Sequence, residues 1–239
     1  MPARINIPSS LHIGADAIDQ VGSEAARLRL RNVLIVSDPF IVGTGLTDRV
    51  SELLSRSGIS STTYGDVQPD PTDRNVLAGL EMLNNIGCEG IVAVGGGSSI
   101  DTAKGISVMA TNSGELSDYM GYDRIPLAGL PLIAIPTTAG TGSECTKVTV
   151  ITDTERDIKM MLLDPHLLPS SALVDYRLTM TMPRSLTAHV GVDTLTHGIE
   201  AFVSKKSNPT TDVLALSCIE LVGRHLRNAW IDPDDEFAR

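Results

Sequence analysis

Along the first three quarters of the chain, short apolar runs alternate with longer amphipathic segments. The short runs predict strands at 32–37, 60–64, 90–94 and 132–135. Helical spacing of apolar residues predicts helices at 15–30, 46–57 and 72–86, and a further helix after the glycine run at 95–97. Strands separated by helices of this length indicate βαβ units. The predicted fold class is therefore α/β, with a Rossmann-like parallel sheet that has both faces covered.

The pattern changes after Pro136. Two segments at 146–152 and 159–163 predict paired strands around a turn, and 172–175 predicts one more short strand. From Pro183 onward two long segments at 184–204 and 209–229 have helical periodicity. We therefore expect an α/β domain over 1–182 and the beginning of an all-helical domain over 183–239. Two helices cannot enclose a core, so their apolar faces should lie on the first domain or on absent chain.

Composition and charge narrow the class of protein. The 239 residues carry a formal net charge of −10, which disfavours binding to nucleic acid. No apolar stretch approaches the roughly 18 residues of a membrane span, and the first residues lack the apolar region of a signal peptide. The three cysteines are widely spaced, as expected for reduced thiols in the cytoplasm. A cytoplasmic enzyme or ligand-binding domain fits these observations.

A run of glycines, Gly95–Gly97, lies between a predicted buried strand and a predicted helix. Backbone amides of such a turn, together with the positive end of the helix, form a site for phosphate or pyrophosphate. A tight turn that holds no ligand is the alternative. Asp101 also matches a capping box with Ser98, and Lys104 would face either phosphate or solvent. Neither GxGxxG after the first strand nor GxxxxGK[ST] is present, which disfavours a conventional Rossmann dehydrogenase and a P-loop NTPase.

Two more polar features follow strands at the predicted ligand-binding edge of the sheet. Asp38 ends the strand at 32–37, where its carboxylate would accept hydrogen bonds from ribose hydroxyls and repel a 2′-phosphate. Because Pro39 follows, Asp38 could instead cap a helix. The loop at 136–144, with two glycines and several hydroxyls, directly follows the strand at 132–135. It is either part of the same site or a plain polar loop.

Asp193 and His197 lie four residues apart in the first long helical segment. This spacing places both side chains on one face, where they could share a divalent ion or form an exposed ion pair. His189 extends the row but is rotated away by about 80°. Two ligands do not complete the coordination of a first-row metal.

Four motifs in this order resemble the iron-containing (group III) alcohol dehydrogenases, a family that includes lactaldehyde reductase and 1,3-propanediol dehydrogenase. They are Gly95-Gly-Gly-Ser-Ser-Ile-Asp-Thr-Ala-Lys104, Ile135-Pro-Thr-Thr-Ala-Gly-Thr-Gly-Ser-Glu144, Asp164-Pro-His166 and Gly191-Val-Asp-Thr-Leu-Thr-His-Gly-Ile-Glu-Ala201. The resemblance covers nearly the whole chain. It implies an NAD(P)-binding α/β domain, a helical domain, and a cleft between them that holds the cofactor and a divalent metal.

The resemblance also implies residue roles. It makes Asp38 the selector of the adenosine ribose, and Gly96, Gly97 and Ser98 the binding site of the pyrophosphate. The remaining cofactor positions that it implies are Asp70, Thr137, Thr138 and Lys159, of which Lys159 would contact the nicotinamide ribose. Asp193 and His197 become two of four metal ligands, whereas His189 matches none. The family's other two ligands are later histidines, and this chain ends at Arg239 before them.

The expected function is therefore metal-dependent, NAD-linked oxidation of a small alcohol or reduction of an aldehyde. Iron is the favoured metal and zinc the competitor. We also expect a homo-oligomer, such as a dimer. Because half of the metal site is missing, the chain is expected to be a fragment or a truncated protein. The alternatives are a nucleotide-binding fragment without catalysis, and a related enzyme such as a glycerol dehydrogenase or dehydroquinate synthase.

Overall fold

The computed structural model describes residues 4–239, which form two compact units. The α/β unit comprises Asn6–Pro136 and Ser143–Asp175. The helical unit comprises Thr137–Gly142 and Tyr176–Arg239, together with residues 4–5. The division of the chain at Met182–Pro183 stays a prediction.

A six-stranded parallel sheet forms the centre of the α/β unit, in the order β1-β9-β6-β4-β2-β3. Its strands are β1 (Ser10–Ile13), β2 (Asn32–Val36), β3 (Ser60–Tyr64), β4 (Gly90–Gly95), β6 (Leu132–Pro136) and β9 (Ser171–Val174). The predicted α/β fold with a parallel sheet is confirmed. The sequence pattern did not reveal β1, because this short edge strand exposes its apolar residues Leu11 and Ile13.

The helices of the α/β unit connect successive strands of the sheet. They are α1 (Val21–Arg27), α2 (Pro39–Gly43), α3 (Leu46–Arg56), α4 (Asp73–Ile86) and α5 (Gly97–Met109). A capping box between Thr72 and Asn75 begins α4, and Gly87 with φ 69° ends it. In contrast to α3 and α4, α5 is buried from Ser99 to Met109 except at Asp101, because it packs between other elements of the unit.

A smaller three-stranded sheet has the order β5-β8-β7. The strands are β5 (Gly121–Tyr122), β7 (Val148–Asp153) and β8 (Ile158–Leu163), with β7 and β8 antiparallel. The predicted hairpin is confirmed, although β7 begins two residues later than expected. Ile151 of β7 and Met160 and Leu162 of β8 point into the main apolar core, which joins both sheets to α4 and α5.

The helical unit contains α6 (Arg184–Val203) and α7 (Pro209–Ile231), which pack against each other. Glycines allow this close approach, because a Cβ at Gly191 would overlap the side chain of Leu226. As expected for two helices alone, many apolar side chains remain exposed on the unit. They include Val192, Ile199, Phe202, Val203, Val213, Leu214, Leu216, Leu221, Trp230 and Ile231. Within residues 4–239, neither these helices nor the others have the length and hydropathy needed to cross a membrane.

Candidate functional site

The glycine run forms a tight turn between β4 and α5. Gly95 has φ 152°, and a Cβ there would overlap the side chain of Ser99 and lie 3.2 Å from Asp38 Oδ2. Gly96 occupies the N-cap position of α5 in an extended conformation, and no side chain caps the helix. The first-turn amides of α5 are therefore available to a ligand, and the helix dipole makes this position favourable for a phosphate group.

The structure shows one of the two roles that the sequence left open for Asp38, the helix cap. Its Oδ1 accepts hydrogen bonds of 3.0 Å from the backbone amides of Phe40 and Ile41, so the carboxylate caps α2. Its Oδ2 lies 3.4 Å from Ser99 Oγ, next to the glycine turn. One oxygen thus stabilises a helix while the other remains beside the turn, where a ribose hydroxyl could donate to it.

The predicted capping box between Ser98 and Asp101 is wrong. The helix begins at Gly97, so Ser98 already lies inside it and Asp101 lies in its second turn. The Asp101 carboxylate instead accepts hydrogen bonds from Ser143 Oγ at 2.6 Å and from the amide of Val150 at 2.9 Å. Burial raises its pKa, partly offset by Lys104 and by these hydrogen bonds.

Lys104 faces neither phosphate nor solvent, contrary to both alternatives drawn from the sequence. Its side chain is fully buried, and Nζ donates to Ser143 Oγ, Thr146 O, Thr146 Oγ1 and Val148 O at 2.7–3.1 Å. Burial lowers the pKa of Lys104 to about 8, against the opposing effect of the nearby Asp101 and Glu144 carboxylates. Lys104 is thus a structural cation of the α/β unit.

Two of the implied cofactor residues contact each other. Lys159 Nζ lies 2.6 Å from Asp70 Oδ1, and both side chains are largely exposed. Asp70 has φ 53°, a left-handed conformation that Asp tolerates better than most residues. Lys159 belongs to β8, so this exposed ion pair joins the loop before α4 to the smaller sheet.

Thr137 and Thr138 follow β6 and belong to the helical unit, Thr137 buried and Thr138 half-buried. The same loop packs on α6, because a Cβ at Gly140 would lie 2.7 Å from Val190 Cβ. Thr194 Oγ1 also donates to Ala139 O at 3.2 Å. The hydroxyl-rich loop is therefore fixed to the helix that carries the metal candidates.

Asp193 and His197 lie on one face of α6, as predicted from their spacing. His197 Nε2 is 3.5 Å from Asp193 Oδ2, and both side chains are about half exposed. Two ligands about 2.1 Å from one tetrahedral metal would be about 3.4 Å apart, so the donor pair fits a shared cation. The same contact also defines an exposed ion pair. Among residues 4–239 no group of three potential ligands is found.

Sequence reasoning missed the buried contacts of Asp101 and Lys104 with Ser143 and Thr146. A signal was present in the composition of α5. Its residues after Ser99 are small or apolar on every side, which leaves no polar face for an aspartate and a lysine three residues apart. A pair of opposite charges on such a helix indicates a buried pair.

The architecture, with a parallel α/β sheet followed by helices, is that of solved alcohol dehydrogenases. The crystal structure of 1,3-propanediol oxidoreductase superposes with a TM-score of 0.97 at 36% identity, covering 100% of this chain and 62% of the other. Alcohol dehydrogenase 4 of Schizosaccharomyces pombe is 44% identical over 233 residues, which is 98% of this chain and 55% of that protein. The NAD-dependent methanol dehydrogenase of Bacillus methanolicus is 38% identical, covering 98% and 61%.

The chain belongs to the iron-containing alcohol dehydrogenase family. The family model "Iron-containing alcohol dehydrogenase" matches residues 8–176, and the model of the family's C-terminal region matches residues 187–239. The chain spans about 55–61% of the length of the two curated relatives named above.

Proposed function

We propose that this chain binds NAD and contributes to metal-dependent hydride transfer between the nicotinamide and a small alcohol or aldehyde. One observation carries the proposal. The uncapped start of α5, at Gly96 and Gly97, lies beside the second carboxylate oxygen of Asp38. A dinucleotide needs both a site for its pyrophosphate and an acceptor for its ribose hydroxyls.

In this proposal the α/β unit holds most of the cofactor. The amides of Gly96, Gly97 and Ser98 bind the pyrophosphate, and Asp38 Oδ2 accepts from the adenosine ribose. Lys159, oriented by its 2.6 Å contact with Asp70, donates to the nicotinamide ribose. A carboxylate at position 38 favours NAD over NADP because it would repel the additional phosphate.

The other residues in this proposal belong to the helical unit. Thr137 and Thr138 present hydroxyls to the phosphate and nicotinamide side of the cofactor. Asp193 and His197 hold a divalent metal, with iron favoured by the family and zinc as the competitor. When bound, such a metal polarises the oxygen of the alcohol or aldehyde. Because two ligands leave a metal under-coordinated, we expect weak metal binding by the chain alone.

The second candidate function is a nucleotide-binding protein without catalysis. It is favoured by one specific observation, that residues 4–239 contain no cluster of three metal ligands. The glycerol dehydrogenase or dehydroquinate synthase alternative has less support, since the relatives named above are alcohol dehydrogenases. The proposal further includes a homo-oligomer and a cytoplasmic location, with which the three free cysteines are compatible.

A titration followed by an assay separates the two candidates. The chain is first titrated with NAD, and ethanol or 1,3-propanediol oxidation is then followed by NADH absorbance with added Fe²⁺ or Zn²⁺. Binding with metal-dependent turnover supports the dehydrogenase. Binding without turnover supports the non-catalytic candidate, and no binding of NAD contradicts both. The variant Asp193→Asn should lower any metal-dependent turnover while leaving NAD binding unchanged.

A further inference from the structure

Three polar side chains of the α/β unit, of which Lys104 and Ser143 are buried and Asp101 is partly buried, form a cluster that the proposed cofactor contacts do not use. Lys104 lies on α5, and its ammonium group reaches four acceptor oxygens of the segment 143–148. An ammonium has three protons, so every one of them has an acceptor in this environment. A lysine whose three ammonium protons all have acceptors is held in one orientation, in contrast to an exposed lysine.

Asp101 and Ser143 complete the cluster. Ser143 Oγ donates to Asp101 Oδ1 at 2.6 Å and accepts from Lys104 Nζ at 3.0 Å, so the hydroxyl bridges the two charges. Asp101 Oδ2 accepts from the amide of Val150, and Asp101 O accepts from Thr149 Oγ1, both at 2.9 Å. The second turn of α5 is thereby bound to residues 143–150 at both charged positions.

The cluster lies directly behind the glycine turn along α5. Asp101 follows the first helical residue, Gly97, by about one turn. Ser99, in the turn between them, is packed against Gly95 and lies next to Asp38 Oδ2. A displacement of α5 along its axis would therefore move the first-turn amides relative to both Gly95 and the carboxylate of Asp38.

We propose that Asp101, Lys104 and Ser143 are positioning residues that hold the start of α5 where its amides receive the cofactor pyrophosphate. This inference rests on the proposed function, because it assigns the phosphate to that helix start. The three side chains do not touch the cofactor. They act through the helix, by fixing its position against the segment 143–150.

The test measures binding of ADP-ribose and hydrogen exchange in the same variants. Lys104→Met removes the cation but leaves the charge of the partly buried Asp101 without its partner, so this single variant is expected to be destabilised. The double variant Asp101→Asn with Lys104→Met removes both charges and keeps similar side-chain volumes. Glu24→Gln is the matched control, since Glu24 is a buried carboxylate that binds Arg27 and Ser171 outside the cluster.

We expect the double variant to keep a cooperative thermal transition and to bind ADP-ribose about ten- to a hundredfold more weakly, which is the loss expected for one hydrogen bond between a backbone amide and a charged phosphate. Exchange of amide hydrogens in peptides covering 95–104 should become faster. Glu24→Gln should change neither the affinity for ADP-ribose nor the exchange at 95–104, even if its melting temperature falls as far as that of the double variant. Unchanged affinity in a folded double variant, or an equal loss of affinity in Glu24→Gln, would overturn the inference.

The hydrogen-exchange measurement tests the anchoring of α5 independently of the proposed function. If the wild-type chain does not bind ADP-ribose, the proposed function fails. Faster exchange at 95–104 in the double variant would then still support the anchoring of α5 by the cluster. Unchanged exchange there would contradict the anchoring, whether or not the chain binds the nucleotide.

Discussion

The charge of Asp38 should determine the preference for NAD over NADP, and Asp38→Asn isolates that charge. In the structure Oδ1 caps α2 by accepting from two backbone amides, whereas Oδ2 is directed to Ser99 beside the glycine turn. Asparagine keeps an oxygen for the cap and is as good an N-cap residue as aspartate. It replaces the other oxygen with a neutral amide. The substitution therefore removes the repulsion and leaves the local fold intact.

The size of the effect follows from Coulomb's law. NADP carries a 2′-phosphate at the position of the ribose hydroxyl that Asp38 would bind in NAD. At a separation of about 5 Å, one unit of phosphate charge and the carboxylate repel by about 1–3 kcal/mol, for effective dielectric constants between those of water and a protein surface. Taking one unit of charge as the minimum, this energy corresponds to a factor of about 5–150 in the dissociation constant. The relative affinity for the phosphorylated ligand should rise by this factor in Asp38→Asn.

The assay is calorimetric titration with ADP-ribose and with 2′-phospho-ADP-ribose at two salt concentrations. The discrimination in the wild-type chain should decrease as salt is added, because a half-exposed charge pair is screened. Asp123→Asn serves as the control, since it removes an equal charge from an exposed turn after β5. If the ratio of the two dissociation constants is the same in wild type and Asp38→Asn, the assignment of Asp38 is wrong.

Three further predictions concern stability and cofactor contacts. Burial raises the pKa of Glu24, but hydrogen bonds from Arg27 and two other side chains outweigh it and hold the pKa at about 2, below the usual 4.5. The ionised carboxylate should therefore stabilise the fold by about 3 kcal/mol above pH 4.5, and this stabilisation is lost as the pH falls towards 2. In urea unfolding, the difference in unfolding free energy between wild type and Glu24→Gln should decrease over that pH range. Gly95→Ala should destabilise the chain by about 1–3 kcal/mol in the same assay, because φ 152° and the overlap with Ser99 oppose a side chain; an unchanged midpoint would contradict this. Lys159→Met should weaken NADH binding, measured by fluorescence. Its unfolding free energy should change by less than about 1 kcal/mol, because the ion pair with Asp70 is exposed. An NADH affinity equal to that of wild type would contradict the assignment of Lys159 to the cofactor site.

The parts of the fold that the sequence predicted well are those where one physical effect dominates. Strands β2, β4 and β6 are buried along nearly their whole length, so their continuous apolar runs identify them. The edge strand β1 gave no such signal, because half of its residues are exposed and its pairing with β9 depends on residues about 160 positions later. Its placement is a property of the tertiary fold rather than of the local pattern.

The candidate site shows the same contrast. The position of the glycine turn and the proximity of Asp193 to His197 follow from local spacing, and both could be predicted. The partners of Lys104 could not, because the apolar composition of α5 indicates a buried lysine but does not identify the distant segment that supplies its acceptors. Only the packing of residues 143–148 against α5 supplies its four acceptors.

The proposed binding of a dinucleotide at the start of α5 is tested most directly by NMR of the ¹⁵N-labelled chain with ADP-ribose. We expect the amide signals of Gly96, Gly97 and Ser98 to shift together on titration, whereas those at the capped start of α4, near Thr72, should stay in place. Saturable binding that leaves the signals of residues 96–98 unmoved would contradict it.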